Sequence, residues 1–303
     1  MNPAKMNFDW YQTTIHADPV TVLQTIAKLG HELRPNDGIA RMYRYNQGYQ
    51  VHHSNLGIVA NVVFGGNGGN AHAWATSDHA PEFSNLVRTE WPDKHLVTRL
   101  DTAADFVEEG SYETLRKVCK KVAKGHRLKF AQQADELNKF AGRTQYMGSP
   151  TSDYRSRLYE KGFQVLGQLP QIAKGQIPIE AVTSYQDMDG NVFNPAHWTR
   201  LELQVRPKHE EGKCKAAYAS PEEAWFFSEW TSELAKAALL LDMERYYIRS
   251  KKQSTDEKAF KAMCGQYRNV LMRLRQDLGS WECLGLTIEE ALKEITKNAK
   301  NFH

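Results

Sequence analysis

The sequence has few cysteines, no long apolar run and little net charge, and each shortage argues against a class of protein. Its four cysteines are far apart and form no Cys-x-x-Cys pair, so we expect neither a thiolate metal site nor a disulfide framework. The first ten residues lack an apolar signal core, and the stretch AKAALLLDM is too short to span a bilayer. The sequence therefore predicts a cytoplasmic protein with no membrane partner.

The excess of basic over acidic residues is only +3 in 303 residues, so any surface for a polyanion must be local. Apolar residues make up 41% of the chain, which is enough for an ordinary hydrophobic core. The length is that of two domains, or of one domain with an appendage.

A change of pattern at Pro207 and the polar run KHEEGKCK indicates a boundary. Before it, alternating apolar residues separated by short turns predict strands; after it, the spacing is helical. We therefore predict an α+β domain over residues 1–207, with a mainly antiparallel sheet and helices on one face, and a helical region over residues 208–303. Residues 126–145 are ambiguous and weakly helical, and a capping box at Ser220 predicts one long helix from Pro221 through Arg249.

Three of the predicted strands carry charged residues at alternate positions, which places those residues on one face of each strand. If the three strands are neighbours in the sheet, a phenol, several carboxylates and several arginines converge. The residues on these faces are Arg99, Asp101 and Asp105 in TRLDTAADF, Arg155, Arg157, Tyr159 and Lys161 in DYRSRLYEKGF, and Arg200, Glu202 and Arg206 in TRLELQVR.

Such a combination suggests chemistry on a phosphate ester. Carboxylates are oxygen ligands for Mg²⁺ or Mn²⁺, and such an ion can hold a phosphodiester and polarise its oxygens. A metal or nearby guanidinium groups would favour the phenolate of Tyr159, which could then attack phosphorus. The alternative is a water-exposed sheet face with ordinary cross-strand pairs between arginine and carboxylate, which predicts no role in DNA binding.

The residue patterns of the three segments resemble those of the replication initiation factor family. This family contains rolling-circle initiators of plasmids and filamentous phages and related relaxases. YMGSPTSDYRSRLYEKG is similar to the family signature, although Pro150 stands where the family has a basic residue after Gly-Ser. VTRLDTAADF resembles the Arg-x-Asp-x-Ala-x-Asp strand, and WTRLELQVR resembles the later Arg-x-Glu strand. The three segments occur in the family's order, and the resemblance covers residues 45–207.

The resemblance implies an enzyme that nicks one strand at a replication origin and stays joined to the 5′ end through a phosphotyrosine. The free 3′-OH primes synthesis, and a reverse reaction rejoins the strand. The implied roles are Tyr159 as nucleophile, with Tyr154 as its rival; Arg157 and Lys161 as catalytic partners; Asp101, Asp105 and Glu202 as ligands of Mg²⁺ or Mn²⁺; and Arg99 and Arg200 as phosphate contacts.

The predicted helix YETLRKVCKKVAKG is strongly basic, and two interpretations of it stay open. It is either a solvated helix face or a second set of DNA phosphate contacts, formed by Lys117, Lys120, Lys121 and Lys124.

The implied partners are origin DNA, as a single-stranded or hairpin nick site, and the host helicase and polymerase machinery. A homodimer is a further expectation, and the helical region over 208–303 is expected to bind DNA or to dimerise. Two alternatives to a replication initiator stay open: a relaxase of a mobilisable element, and a DNA-binding regulator without catalysis.

Overall fold

The computed structural model describes residues 3–135, 142–178, 181–187, 189–243, 260 and 263–300. The chain divides into two compact units, residues 1–250 and 251–303. The first unit extends past Pro207, because the residues that follow it contribute to the same hydrophobic core as the sheet. A functional boundary at this proline stays a prediction.

A ten-stranded antiparallel sheet organises the first unit. Its strands are β1 (Lys5–Ile15), β2 (Glu32–Pro35), β3 (Gln47–His53), β4 (Gly57–Phe64), β5 (Ala71–Thr76), β6 (His95–Phe106), β7 (Phe130–Gln133), β8 (Thr144–Met147), β9 (Tyr154–Glu160) and β12 (Thr199–Val205). They lie in the order β2-β3-β4-β5-β1-β6-β12-β9-β8-β7, and β10 (Tyr185–Gln186) pairs with β11 (Val192–Phe193) in a separate hairpin.

Helices pack against this sheet, most of them on one face. Those of the first unit are α1 (Pro19–Ile26), α2 (Asp37–Met42), α3 (Ala80–Glu90), α4 (Ser111–Gly125), α5 (Lys161–Leu166), α6 (Pro170–Ala173), α7 (Glu210–Tyr218) and α8 (Glu229–Leu234). The second unit contains α9 (Arg268–Leu278) and α10 (Trp281–Lys300), which contact each other. None of the helices among the described residues is both long and apolar enough to cross a membrane.

The main core lies between the sheet and the helices α1, α3, α4, α7 and α8. Alternate residues of the central strands face it, for example Leu100 on β6, Leu201 on β12 and Leu158 on β9. We call this side of the sheet the core face and the opposite side the polar face. The predicted α+β class is confirmed, although the short helix α2 packs on the polar face, against Val63 and Trp74.

The predicted long helix from Pro221 is wrong over the described residues. Residues Glu223–Phe227 form a 3₁₀ turn, α8 starts again at a Ser228 cap, and a π-helical turn follows over Ala235–Leu239. The reason is burial, because an α-helix could not turn the three consecutive aromatic residues from Trp225 to Phe227 into the core together. The predicted part of this helix from residue 244 lies outside the described residues.

The ambiguous segment 126–145 contributes strands at both of its described ends, β7 and the start of β8, rather than a helix. Residues 136–141 lie outside the described residues.

Candidate active site on the polar face

The three segments with charged faces are adjacent strands, with β12 between β6 and β9. In this register Arg200 on β12 lies opposite Tyr159 on one side and opposite Asp105 on the other. Glu202, two residues along, lies opposite Arg157 of β9. The structure thus brings the phenol, two carboxylates and two arginines together across three strands.

Tyr159 is 7% exposed, and its hydroxyl donates a hydrogen bond to Glu202 Oε2 at 3.3 Å. Burial and then the charge of Glu202 raise the pKa of the phenol well above 10, although Arg200 and Arg157 oppose the shift. The two arginines favour the phenolate, as the sequence suggests, but burial and the charge of Glu202 outweigh them. Tyr159 therefore needs a proton acceptor before it can act as a nucleophile.

Glu202 is the carboxyl with the least compensated charge in the site. It is fully buried, and burial followed by the charge of Asp101 raises its pKa to about 8. Arg157 Nη2 lies 2.5 Å from Oε1, but outside hydrogen-bonding geometry, so this oxygen accepts no hydrogen bond from the described residues. One oxygen of Glu202 therefore faces Tyr159, and the other forms an ion pair with Arg157.

Arg200 is held in place by two carboxylates. Its guanidinium donates to both oxygens of Asp105, at 2.7 and 2.8 Å, and to Asp9 Oδ1 at 2.6 Å. Asp9 was not predicted from the sequence. It lies at a register shift between Phe8 and Trp10 in β1, where one extra residue turns toward the polar face, and only the strand pairing reveals such a bulge.

Arg99 and Asp101 form a second ion pair in which a guanidinium binds both oxygens of a carboxylate. The guanidinium of Arg99 donates to both carboxylate oxygens of Asp101, with Nε at 2.9 Å from Oδ1. The same guanidinium lies 3.9 Å from the centre of the Trp10 ring, a stacked cation–π contact. The Arg99 guanidinium is therefore hydrogen-bonded to Asp101 along its edge and stacked on the Trp10 indole by its face.

The predicted metal set of three carboxylates fits the structure only in part. Among the residues that the structure describes, no three His, Cys, Asp or Glu side chains are arranged to hold a metal ion. Asp101 and Asp105 fail as ligands here because each carboxylate is already bound by both arms of a guanidinium. Glu202 does fit, since it is a hard oxygen donor with a buried oxygen that lacks a hydrogen bond.

Two further cations surround the phenol. The Lys161 ammonium, at the start of α5, lies 5.9 Å from the Tyr159 ring centre and donates to Gln164 Oε1 at 3.2 Å. The Arg157 guanidinium lies 5.4 Å from the same ring. Burial, and then the charge of Arg200, lowers the pKa of Lys161, so its ammonium would gain from an anionic ligand.

A cleft of about 210 Å³ gives access to this side of Tyr159. Arg143 on its wall donates to Glu160 at 2.8 Å and to Glu113 at 2.6 Å. Sequence reasoning missed this arginine, because it lies in a segment without a strong pattern. The residues that line the cleft are Gly142, Arg143, Thr144, Tyr146, Arg157, Tyr159, Glu160 and Gln164.

The rival Tyr154 lies on the other side of the sheet. It is part of the main core, where burial and then the charge of Asp153 raise the pKa of its phenol. Tyr154 and Tyr159 are five residues apart on one strand, and an odd separation puts two side chains on opposite faces. Tyr154 therefore does not meet Glu202.

The basic helix α4 also lies on the core face. Its apolar side, including Leu115 and Val122, packs into the main core, and its lysines point outward. The structure therefore does not bring these predicted phosphate contacts to Tyr159. The exposed lysines are Lys117, Lys120, Lys121 and Lys124.

The chain matches no protein-family profile, and no curated protein sequence matches it. Among solved structures it is similar to a rolling circle replication initiator protein from Geobacillus stearothermophilus, with 18% sequence identity and a TM-score of 0.45 over 84% of this chain and 91% of that chain. At this TM-score the similarity assigns no activity, so the proposal below rests on this chain's own residues.

Proposed function

We propose that this chain is a rolling-circle replication initiator that nicks and rejoins one DNA strand, with Tyr159 as the nucleophile. The observation that carries the proposal is the contact between the Tyr159 hydroxyl and Glu202, with two guanidinium groups and an ammonium around the same phenol. A buried tyrosine placed among cations beside a cleft suits attack on a phosphodiester better than it suits packing.

In the proposed reaction the ionised form of Glu202, whose share grows as pH approaches about 8, accepts at Oε2 the proton of the Tyr159 hydroxyl as the phenol oxygen attacks phosphorus. The bond between phosphorus and the 3′ oxygen breaks, and that oxygen leaves as a 3′-OH after taking up a proton. The 5′ phosphate stays on the tyrosine. In the reverse step a 3′-OH attacks the phosphotyrosine, which restores the DNA strand and the phenol.

Two cations support the build-up of charge on the phosphoryl oxygens. Arg157 and Lys161 lie within 6 Å of the Tyr159 ring, whereas Arg143 in the same cleft is bound by Glu160 and Glu113. Arg200 and Arg99 have a different part in this proposal. Because both guanidinium groups are bound by carboxylates, they hold the strands and the local charge in place and touch DNA less directly than the sequence prediction supposes.

Mg²⁺ or Mn²⁺ remains the proposed cofactor, with Glu202 as its protein ligand. Mg²⁺ is commonly bound through one or two carboxylates together with substrate phosphates, so a single buried carboxylate suffices. When bound, such an ion would polarise a non-bridging phosphate oxygen. Asp101 and Asp105 are proposed to act through the arginines they orient.

The remaining expectations are proposals of the same kind. The substrate is origin DNA in single-stranded or hairpin form, the host helicase and polymerase act downstream, and the chain works in the cytoplasm as a monomer or homodimer. A relaxase would use the same chemistry on a mobilisable element. A regulator without catalysis would bind DNA and never become attached to it.

Covalent trapping tests the proposal. A diverse library of single-stranded and hairpin oligonucleotides, which includes the chain's own replicon origin, is labelled at the 3′ end and incubated with the protein and Mn²⁺. The mixture is then denatured and examined for labelled protein. Wild type and Tyr154→Phe should trap label, whereas Tyr159→Phe should not.

Tyr154→Phe is the matched control, since it removes the same hydroxyl from the same strand on the opposite face. Trapping that depends on Tyr154 instead would refute the assignment of the nucleophile. If the wild type traps no label across the library, the nicking proposal fails and the regulator takes its place.

A further inference from the structure

The exposed side of α4 carries a row of four lysines, here called the lysine ridge. Packing of the helix against the core does not explain this concentration of positive charge. Lys120 and Lys121 lie three and four residues after Lys117, and Lys124 lies four and three residues after them, so the four lysines form a single stripe on the outer side of the helix. None of them makes an ion pair with a residue that the structure describes. Like charges at these spacings destabilise a helix, so the stripe lowers stability unless an anion binds it.

The acidic residues near this ridge are already engaged. Glu113, in the first turn of α4, binds Arg143 at 2.6 Å and lies 3.9 Å from Arg116. Glu233 of α8 binds His126 at 2.7 Å, just after the helix ends. The stripe covers about 10 Å, a length over which one strand of duplex DNA presents about three phosphates.

A basic path connects the ridge to the cleft around the edge of the sheet. After α4 the chain runs through exposed Arg127 and Lys129 into β7, which is the edge strand beside β8. On the polar face of β8, Tyr146 lies beside Arg157, and the Arg155 guanidinium stacks 4.2 Å from its ring centre.

Arg155 adds a second observation along this path. Its Nε is buried and has no hydrogen-bond partner among the described residues, although burying an N–H without a partner is unfavourable. A phosphate oxygen is the kind of acceptor that would satisfy it. The cationic groups thus continue from Tyr159, over the β8–β7 edge, to α4.

We propose that α4 binds the backbone of duplex DNA that flanks the nick site, and that this DNA passes around the β8–β7 edge of the sheet. The inference rests on the proposed function and adds a second contact surface to it. The nick site and the flanking duplex would then be held on opposite faces of one sheet. Binding on α4 would be independent of base sequence, because lysine recognises phosphate as a point charge.

The test compares two substrates by fluorescence anisotropy across a series of salt concentrations. One is a single-stranded oligonucleotide of about eight nucleotides, within the range that a single-stranded site covers. The other adds a duplex extension of about 20 base pairs, roughly 68 Å long, on one side or the other of the same segment. The protein is full-length wild type, Lys117→Gln/Lys121→Gln, or the control Lys28→Gln/Lys94→Gln, which removes the same charge from exposed lysines elsewhere.

Log affinity falls linearly with log salt concentration, and the steepness of this fall reports the number of phosphate contacts. For the extended substrate, the α4 variant should make the fall shallower by about 2, roughly one for each lost phosphate contact. The short oligonucleotide should bind all three proteins equally, and the control should match wild type on both substrates. An unchanged slope with the α4 variant would overturn the inference, as would an equal change in the control.

Loss of binding to the short oligonucleotide would also overturn it, because the ridge would then belong to the cleft. These measurements need no covalent step, so failure of the trapping experiment and failure of the α4 proposal are distinguishable.

Discussion

Replacing Glu202 by glutamine should make the stability of the protein less sensitive to a rise in pH between about 4.5 and 8. In the folded state burial and then the charge of Asp101 raise the pKa of this carboxyl to about 8, whereas the unfolded chain releases the proton near pH 4.5. Between these two values the folded state binds more protons, so the free energy of unfolding falls as pH rises. Glutamine keeps the shape of the side chain and removes this titration.

The magnitude follows from the size of the pKa shift. A rise from 4.5 to about 8 corresponds to a loss of on the order of 5 kcal/mol as pH increases through that window, at about 1.4 kcal/mol for each pKa unit. Below pH 4.5 both states are protonated and the penalty is absent. The difference in stability between Glu202→Gln and wild type should therefore shift in favour of the variant as pH rises, and level off above about pH 8.

Urea unfolding followed by tryptophan fluorescence, in buffers with EDTA from about pH 5 to pH 9, measures this difference. Both proteins share every other titrating group, so subtraction of the two curves isolates Glu202 to a first approximation. Parallel curves across the whole range would show that Glu202 is ionised in the folded state, and would refute the electrostatic account of the site.

Three further predictions concern the same region. Mn²⁺ added at pH 8 should raise the melting temperature of wild type but not of Glu202→Gln, because only the carboxylate binds the ion; equal shifts in both would place the metal elsewhere. Gly162→Ala should destabilise the protein and impair trapping, because a Cβ at this position would lie 1.7 Å from the carbonyl oxygen of Pro195; a fully stable variant in thermal unfolding would contradict this contact. Arg200→Met should cost about 3–5 kcal/mol in urea unfolding, since it leaves two carboxylates partly buried without their cation, and a loss below about 1 kcal/mol would mean that water compensates them.

Much of the site follows from local pattern. A strand sends successive side chains to opposite faces, so the alternation in TRLDTAADF and TRLELQVR places Asp101, Asp105, Arg200 and Glu202 on the side away from the core. The same rule separates Tyr154 from Tyr159, because the two tyrosines are an odd number of residues apart on β9.

Such local patterns could not predict contacts between segments that are far apart in the sequence. That Asp9 joins Arg200 depends on a bulge in β1, which exists only once β1 has paired with β6. That α4 lies behind the sheet, away from Tyr159, depends on how its apolar side packs over β9. The 3₁₀ turn at Trp225 likewise depends on the space that the core offers to three aromatic rings.

The α+β class, the strands that carry the charged residues and the side of each strand on which they lie follow from the amino-acid sequence alone. These depend on the period of the backbone, which is a local property of a few consecutive residues. The contacts between distant segments, by contrast, come from the fold as a whole: guanidinium groups bind Asp101 and Asp105, Glu202 is buried with a raised pKa beside Tyr159, and the lysines of α4 face away from the site. Ion pairing and desolvation depend on which distant segments exclude water from a group, and those neighbours are set by the whole fold.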